Sequence, residues 1–340
     1  MTIRIPARRR QWRPAFIFSL AAATALPACG AGAGTALAAS SASQATQAQA
    51  ISPIARIVPK PVSLTAGKGQ FALTAGARIV VAGGSAAALP VAQDLASYLR
   101  PATGYRLPVV PGTSEPGAIT LALGSQGAVP GDPDGEGYRL NVTSTRVTLA
   151  AATPHGLYNG IQTIRQLLPA WINSPSVMPG PWTMPAVQIA DHPRYTYRGV
   201  MLDIARHYET PSAAEQLIDQ AAAYKINVFH LHLSDDQGFR VVINGFPNLT
   251  TIGGQGSVGT GGRTMDPGGY WTQADYKAVV ADAQAHFMTL IPEVDSPGHN
   301  NAIIMSEYND TTNPLLNGHP QDINCSANHP PQWDYTGDVG

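Results

Sequence analysis

Tyr197-Arg-Gly-Val-Met-Leu-Asp-Ile-Ala-Arg-His207 is a short apolar run that ends in charged and imidazole side chains. His230-Leu-His-Leu-Ser-Asp-Asp-Gln-Gly-Phe-Arg240 repeats that design, and Pro292-Glu-Val-Asp-Ser-Pro-Gly-His299 repeats it again. Buried strands with reactive groups at their C-terminal ends are how a parallel barrel presents chemistry. Helical patterns lie between the strands. Ser212-Ala-Ala-Glu215 reads as a capping box for a helix through Tyr224, and Thr272-Gln-Ala-Asp275 reads as the start of another. Tyr276, Val279, Val280, Ala283 and Phe287 share one face of that second helix. Strands over 200–204, 227–233 and 288–294 alternating with helices predict an α/β fold. Pattern alone leaves doubly wound and barrel forms open. The polar clusters at successive strand ends favour the barrel.

Upstream, residues 54–170 read as a small α/β domain. Strands are expected over 77–82 and 118–123, and a helix carries Val91, Leu95, Tyr98 and Leu99 on one face. Tyr138-Arg-Leu-Asn-Val142 and Arg146-Val-Thr-Leu-Ala150 form a hairpin pattern. Thr153-Pro154 opens a helix lined by Leu157, Ile161, Ile164 and Leu168, with Pro at its first position. Residues 171–185 read as the inter-domain connection.

A full (β/α)8 barrel takes about 250 residues, whereas roughly 145 follow Tyr195. Residues 309–340 are rich in Asn, Pro, Gly and Asp and have no apolar period. The expected architecture is therefore a small N-terminal α/β domain, then the first part of a (β/α)8 TIM barrel over 195–340, incomplete in this chain. That makes the chain a fragment of a longer protein, inactive and poorly folded alone, because an open barrel leaves strand edges exposed.

The N-terminus reads as an export signal. Arg4, Arg8, Arg9, Arg10 and Arg13 precede a short apolar stretch over 16–28, too short for a membrane span. Cleavage after Ala38 gives a signal peptide over 1–38 and a linker over 39–53. Leu26-Pro-Ala-Cys29 offers a lipoprotein box instead, with a lipid anchor at Cys29. The protein is expected to be periplasmic, outer-membrane-associated or secreted. Cys325 is the second of two cysteines and has no partner in the mature chain. A net charge of -1 argues against a nucleic-acid footprint and against a polybasic membrane patch.

In the second strand Val228, His230, His232 and Ser234 share a face, with Phe229, Leu231 and Leu233 on the other. The His face suits the barrel interior. Asp235 and Asp236 sit at the strand mouth, Arg206 and His207 just past the first strand, and Glu293, Asp295 and His299 at the third. Any one of these polar residues is ordinarily a core group satisfied by hydrogen bonds. Three clusters at consecutive strand ends point to a site. His230, His232, Asp235, Glu293, Asp295 and His299 have the ligand types of a metal-dependent barrel hydrolase, although Arg206 would repel a cation there. The same Arg and carboxylates also suit sugar hydroxyls, with Tyr270, Trp271 and Trp333 as stacking candidates. A non-catalytic carbohydrate-binding protein fits that chemistry as well.

The order and content of the three clusters resemble the family 20 glycoside hydrolases, the β-N-acetylhexosaminidases. His155-Gly-Leu-Tyr-Asn-Gly-Ile-Gln-Thr-Ile-Arg-Gln-Leu-Leu168 resembles the domain that precedes their barrel. The resemblance implies removal of terminal N-acetylglucosamine or N-acetylgalactosamine from β-linked glycans or chitin oligomers. The substrate's own acetamide oxygen is then the nucleophile, configuration is retained and no cofactor is needed. It implies that Arg206 holds sugar hydroxyls and that Asp235 and His299 form a supporting pair beside the acid. Asp203, His232, Glu293 and Asp295 match the same motifs and would line or brace the site, Glu293 as a buried brace. The family's adjacent Asp-Glu pair is where this chain departs: no Asp-Glu dipeptide occurs in it, so no general acid is assigned.

Overall fold

The structure is a computed structural model that describes residues 52–255, 258–259, 263–264 and 268–307. The signal region, Cys29, Cys325, Trp333 and residues 309–340 lie outside them. The described residues from Pro53 onward fall in one compact unit. Its first half is a seven-stranded sheet. The strands are β1 (Ser63–Ala72), β2 (Ile79–Ala82), β3 (Val109–Gly112), β4 (Ile119–Leu123), β5 (Tyr138–Val142), β6 (Val147–Ala151) and β7 (Thr183–Asp191). Their spatial order is β1-β7-β5-β6-β4-β2-β3.

Strands β5 and β6 form the expected antiparallel hairpin, Tyr138 opposite Ala151 and Val142 opposite Val147. Tyr138, Leu140 and Val142 are buried while Arg139 and Asn141 face out, so one sheet face is covered and the other is polar. Helices α1 (Leu89–Thr103) and α2 (Pro154–Leu167) supply the cover. Thr153 caps α2 by accepting a hydrogen bond from the Gly156 N–H at 3.1 Å, with Pro154 in the first turn. Leu157, Ile161, Ile164 and Leu168 are all buried, as the spacing predicts.

Three strands differ from the sequence reading, β3 among them as a short strand with no expectation behind it. Strand β7 starts at Thr183, inside the expected connection, and threads between β1 and β5. Strand β1 was not anticipated. It is a mostly exposed edge strand containing Gly67, Lys68 and Gly69, so it lacks the apolar alternation that marks a half-buried strand.

The second half is a parallel three-stranded sheet with the order β14-β9-β8. It comprises β8 (Gly199–Asp203), β9 (Val228–His232) and β14 (Thr289–Glu293). Between these strands lie α3 (Pro211–Ala222), the short pair β10 (Ser234–Asp235) and β11 (Gly238–Phe239), α4 (Asn248–Thr251), the pair β12 (Val258–Gly259) and β13 (Arg263–Thr264), and α5 (Gln273–Ala285). Helix α6 (Asn301–Glu307) follows β14. This is the βαβ order of a partial barrel. Thr272 and Asp275 make the expected capping box on α5. The α3 cap is two residues earlier than expected, at Thr210 instead of Ser212. Thr210 is its N-cap, accepting from Ala213 N–H at 3.2 Å, and Pro211 opens the helix. Pro at the first position makes Thr210 the better stop for the preceding chain.

Polar contacts join the two sheets. Lys225 Nζ meets Asp191 Oδ2 at 2.9 Å and the Tyr138 hydroxyl at 3.1 Å, all buried. Arg198 pairs with Glu136, whose Oε1 also accepts from Asn227 Nδ2 at 2.9 Å. The second sheet is thereby held at fixed points of the first, which sets where its strand ends lie.

Candidate active site

Register brings the site together. Asp203, His232 and Glu293 lie side by side as the last residues of β8, β9 and β14. Parallel strands in this register point residues of one row to the same face. The opposite face of β9 carries Phe229, Leu231 and Leu233 into the core, all fully or nearly fully buried. His230, one row below, shares the site face as the alternation predicts.

Arg206 reaches back over the strand ends. Its Nη1 donates to Asp203 Oδ2 at 2.6 Å and its Nη2 meets Asp235 Oδ2 at 2.7 Å. Asp203 Oδ1 accepts the backbone N–H groups of Ala205 and Arg206, both at 3.0 Å, which folds the loop over the strand end. The Arg206 side chain is 48% exposed, while Asp235 is 1% exposed. One end of this pair is wet and the other is dry.

Asp235 is a junction. Its Oδ2 also takes His232 Nε2 at 3.0 Å, and its Oδ1 accepts the Asp236 N–H at 2.6 Å. His299 Nδ1 lies 3.8 Å from Asp235 Oδ1 and 3.4 Å from Asp236 Oδ2. His299 adopts a positive φ of 54°, a left-handed conformation that turns the chain back toward Asp235. Behind His232, Glu293 Oε2 approaches its Nδ1 at 3.0 Å and His230 Nε2 at 2.5 Å. Asp295 is half-buried, and its backbone N–H donates to Ser234 Oγ at 3.1 Å.

Charge follows geometry. Burial alone would raise Asp203, but the hydrogen bonds from the backbone and guanidinium of Arg206 hold it below the ordinary carboxylate value. The hydrogen bond to Asp203 raises Arg206 further. Burial would lower His232, yet Glu293 and Asp235 outweigh it and raise the imidazole. His232 in turn holds Glu293 low against its own partial burial.

The structure therefore gathers Arg206, His232, Asp235, Glu293, Asp295 and His299 at one mouth. Glu293 lies on β14, the last of the three described barrel strands, with its Oε2 buried against His230 and His232. His207 turns away, exposed, with Nδ1 3.3 Å from the Tyr208 carbonyl. Trp271 is corrected: it is fully buried and donates through Nε1 to the Glu209 carbonyl at 2.9 Å, so it offers no stacking face. Tyr270 is exposed.

Arg240 was missed as a site-shaping residue. It is fully buried and donates to the carbonyls of Ala205, Gly254 and Gly269, tying the loop after β8 to later loops. The signal was a charged residue in the middle of the apolar Gly238-Phe-Arg-Val-Val242 run.

Two His/Asp groups have ligand-type atoms within 4.8 Å of one another: His232 with Asp235 and Asp295, and Asp235 with Asp236 and His299. In both, Asp235 Oδ2 is already engaged by Arg206 and His232. A cation there would sit against the Arg206 guanidinium, an arrangement that favours an organic polar ligand.

The chain matches Glycosyl hydrolase family 20, domain 2, over residues 55–192 and Glycosyl hydrolase family 20, catalytic domain, over residues 195–334. The chain belongs to glycosyl hydrolase family 20. It is 37% identical over 275 residues to a Beta-N-acetylhexosaminidase of Cellulomonas fimi, covering 80% of this chain and 51% of that protein. It is 36% identical over 244 residues to a Beta-hexosaminidase of Porphyromonas gingivalis, covering 72% of this chain and 30% of that one. A mutant Streptomyces plicatus beta-hexosaminidase, solved in complex with product (GlcNAc), is similar at 40% identity and TM-score 0.68. That match covers 79% of this chain and 50% of the solved chain. This family 20 chain thus spans between about a third and about half of the length of these relatives.

Proposed function

We propose that the full-length protein is an exported β-N-acetylhexosaminidase that removes terminal N-acetylglucosamine or N-acetylgalactosamine from β-linked glycans or chitin oligomers. The observation that carries this reading is the Asp203–Arg206–Asp235 bridge. Two carboxylates on adjacent strand ends fix a guanidinium whose other side is open to solvent. A planar, multivalent, oriented donor is what sugar hydroxyls need. The names of the family 20 relatives and the GlcNAc product complex support the same substrate class.

In this reading Arg206 binds the non-reducing sugar, and Asp235 and His299 flank the acid that protonates the leaving oxygen. The acetamide oxygen attacks the anomeric carbon, the glycosidic bond breaks, and water later opens the oxazolinium with net retention. The Asp-Glu pair that supplies the acid and orients the acetamide is then contributed by residues outside this sequence. The basic and apolar segments at the N-terminus support export.

The test is turnover by the full-length protein. An aryl N-acetyl-β-glucosaminide should be cleaved, and the aryl β-glucoside lacking the acetamide should not. No release from the first substrate overturns the function; equal release from both overturns the role of the acetamide.

A further inference from the structure

His232 lies between two carboxylates. Asp235 Oδ2 is 3.0 Å from its Nε2 and Glu293 Oε2 is 3.0 Å from its Nδ1. A neutral imidazole has one N–H and one lone pair, so it can face only one ionised carboxylate productively. The other nitrogen lies at ion-pair distance from the second carboxylate with no aligned hydrogen bond between them, so only a charged ring is attracted to both carboxylates at once. The side chain is only 4% exposed, so bulk water screens neither contact.

The charged and titratable groups facing His232 come from every neighbouring element. Asp203 ends β8 and Glu293 ends β14; His230 is on β9 itself. Asp235 and Asp295 lie within ligand distance above, and Arg206 reaches Asp235 from the β8 loop. The contacts run Asp203–Arg206–Asp235–His232–Glu293, and a charged His232 makes the signs alternate throughout.

We infer that His232 is held as an imidazolium between Glu293 and Asp235, and that it is a positioning residue locking the Asp235 carboxylate onto Arg206. Asp235 Oδ2 then receives two cations, while Oδ1 is left to the Asp236 N–H and to His299. Glu293 acts at one remove, by stabilising the positive charge of the ring. The raised imidazole and lowered Glu293 carboxyl agree with this geometry. The part played in sugar binding rests on the proposed function; the protonation state does not.

The experiment uses the full-length protein with 15N-labelled histidine, wild type and Glu293→Gln. In the wild type both His232 ring nitrogens should stay protonated from about pH 5.5 to about pH 8. In E293Q the ring should lose one proton within that range. N-acetylglucosamine should then bind E293Q about tenfold more weakly than wild type at about pH 8, and within about twofold at about pH 5.5. A merely structural brace would lose affinity equally at both pH values, and that result overturns the proposal. So does a wild-type His232 with a single ring proton, which would place the proton on Glu293. Failure of the wild-type protein to bind N-acetylglucosamine strikes the proposed function alone, and the ring-proton count still decides the imidazolium.

Discussion

Arg206 and Asp235 meet at 2.7 Å across the ends of two adjacent parallel strands, one side chain half in solvent and the other sealed in the core. This asymmetry separates two roles that a symmetric ion pair would mix. The buried carboxylate anchors, and the exposed guanidinium presents donors.

Asp235→Asn should therefore be far more costly than Arg206→Met. Replacing Asp235 leaves His232 and Arg206 facing a neutral amide in a dry site, at a cost of about 3–5 kcal/mol. Replacing Arg206 removes a half-exposed partner and leaves Asp235 with His232, at a cost of about 1 kcal/mol. Denaturant unfolding of the full-length variants checks the order. Equal losses would contradict the division between anchor and donor.

A second cluster predicts an alkaline loss of stability. Burial would lower His286, but Asp219 Oδ1 at 2.8 Å and the Asp282 backbone carbonyl at 2.8 Å raise it to about 9. A histidine raised in the folded state binds its proton more tightly there than in the unfolded chain. Its contribution is complete below the unfolded value and disappears as pH rises through about 9. Burial also lifts Asp94 and Asp282 to about 6, with His286 opposing, so both disfavour folding as they ionise. All three slopes have the same sign. The carboxylates act below about pH 7; through His286 the free energy of unfolding should fall between about pH 6.5 and about pH 9.5, on the order of 1–2 kcal/mol after screening at half-exposed Asp219. His286→Gln should flatten that arm. An unchanged slope in the variant would assign it to other groups.

Gly156 and Gly160 test the packing of α2 on the sheet. A Cβ at Gly160 would strike the side chain of Leu149, whereas one at Gly156 would strike the backbone carbonyl of Gly137. Leu149 can change rotamer and a strand carbonyl cannot. Gly160→Ala should cost about 1–3 kcal/mol despite better helix propensity. Gly156→Ala should cost more, and Leu149→Ala should relieve only the first. Thermal unfolding of the three variants and the double mutant measures this.

Much of the site was legible in the sequence because its signals are local. The alternation in Val228-Phe-His-Leu-His232 fixes which face each side chain takes, and Thr272 with Asp275 fixes a helix start within one turn. The Thr153-Pro154 start was equally local. What the sequence hid depends on distant partners. Strand β7 is a strand because β1 and β5 flank it, and Pro185 within it obscures the pattern. Arg240 is buried because three carbonyls from separate loops converge on it. Trp271 read as a platform because an aromatic residue carries no mark of its burial.

The central claim is that Arg206 is an anchored sugar-binding donor. Calorimetric titration of N-acetylglucosamine into the full-length protein, wild type against Arg206→Met, tests it most directly. Loss of charged hydrogen bonds to a bound sugar should weaken binding by at least about tenfold, about 1.5–3 kcal/mol, while the variant remains folded. Unchanged affinity in a folded Arg206→Met protein would contradict the account.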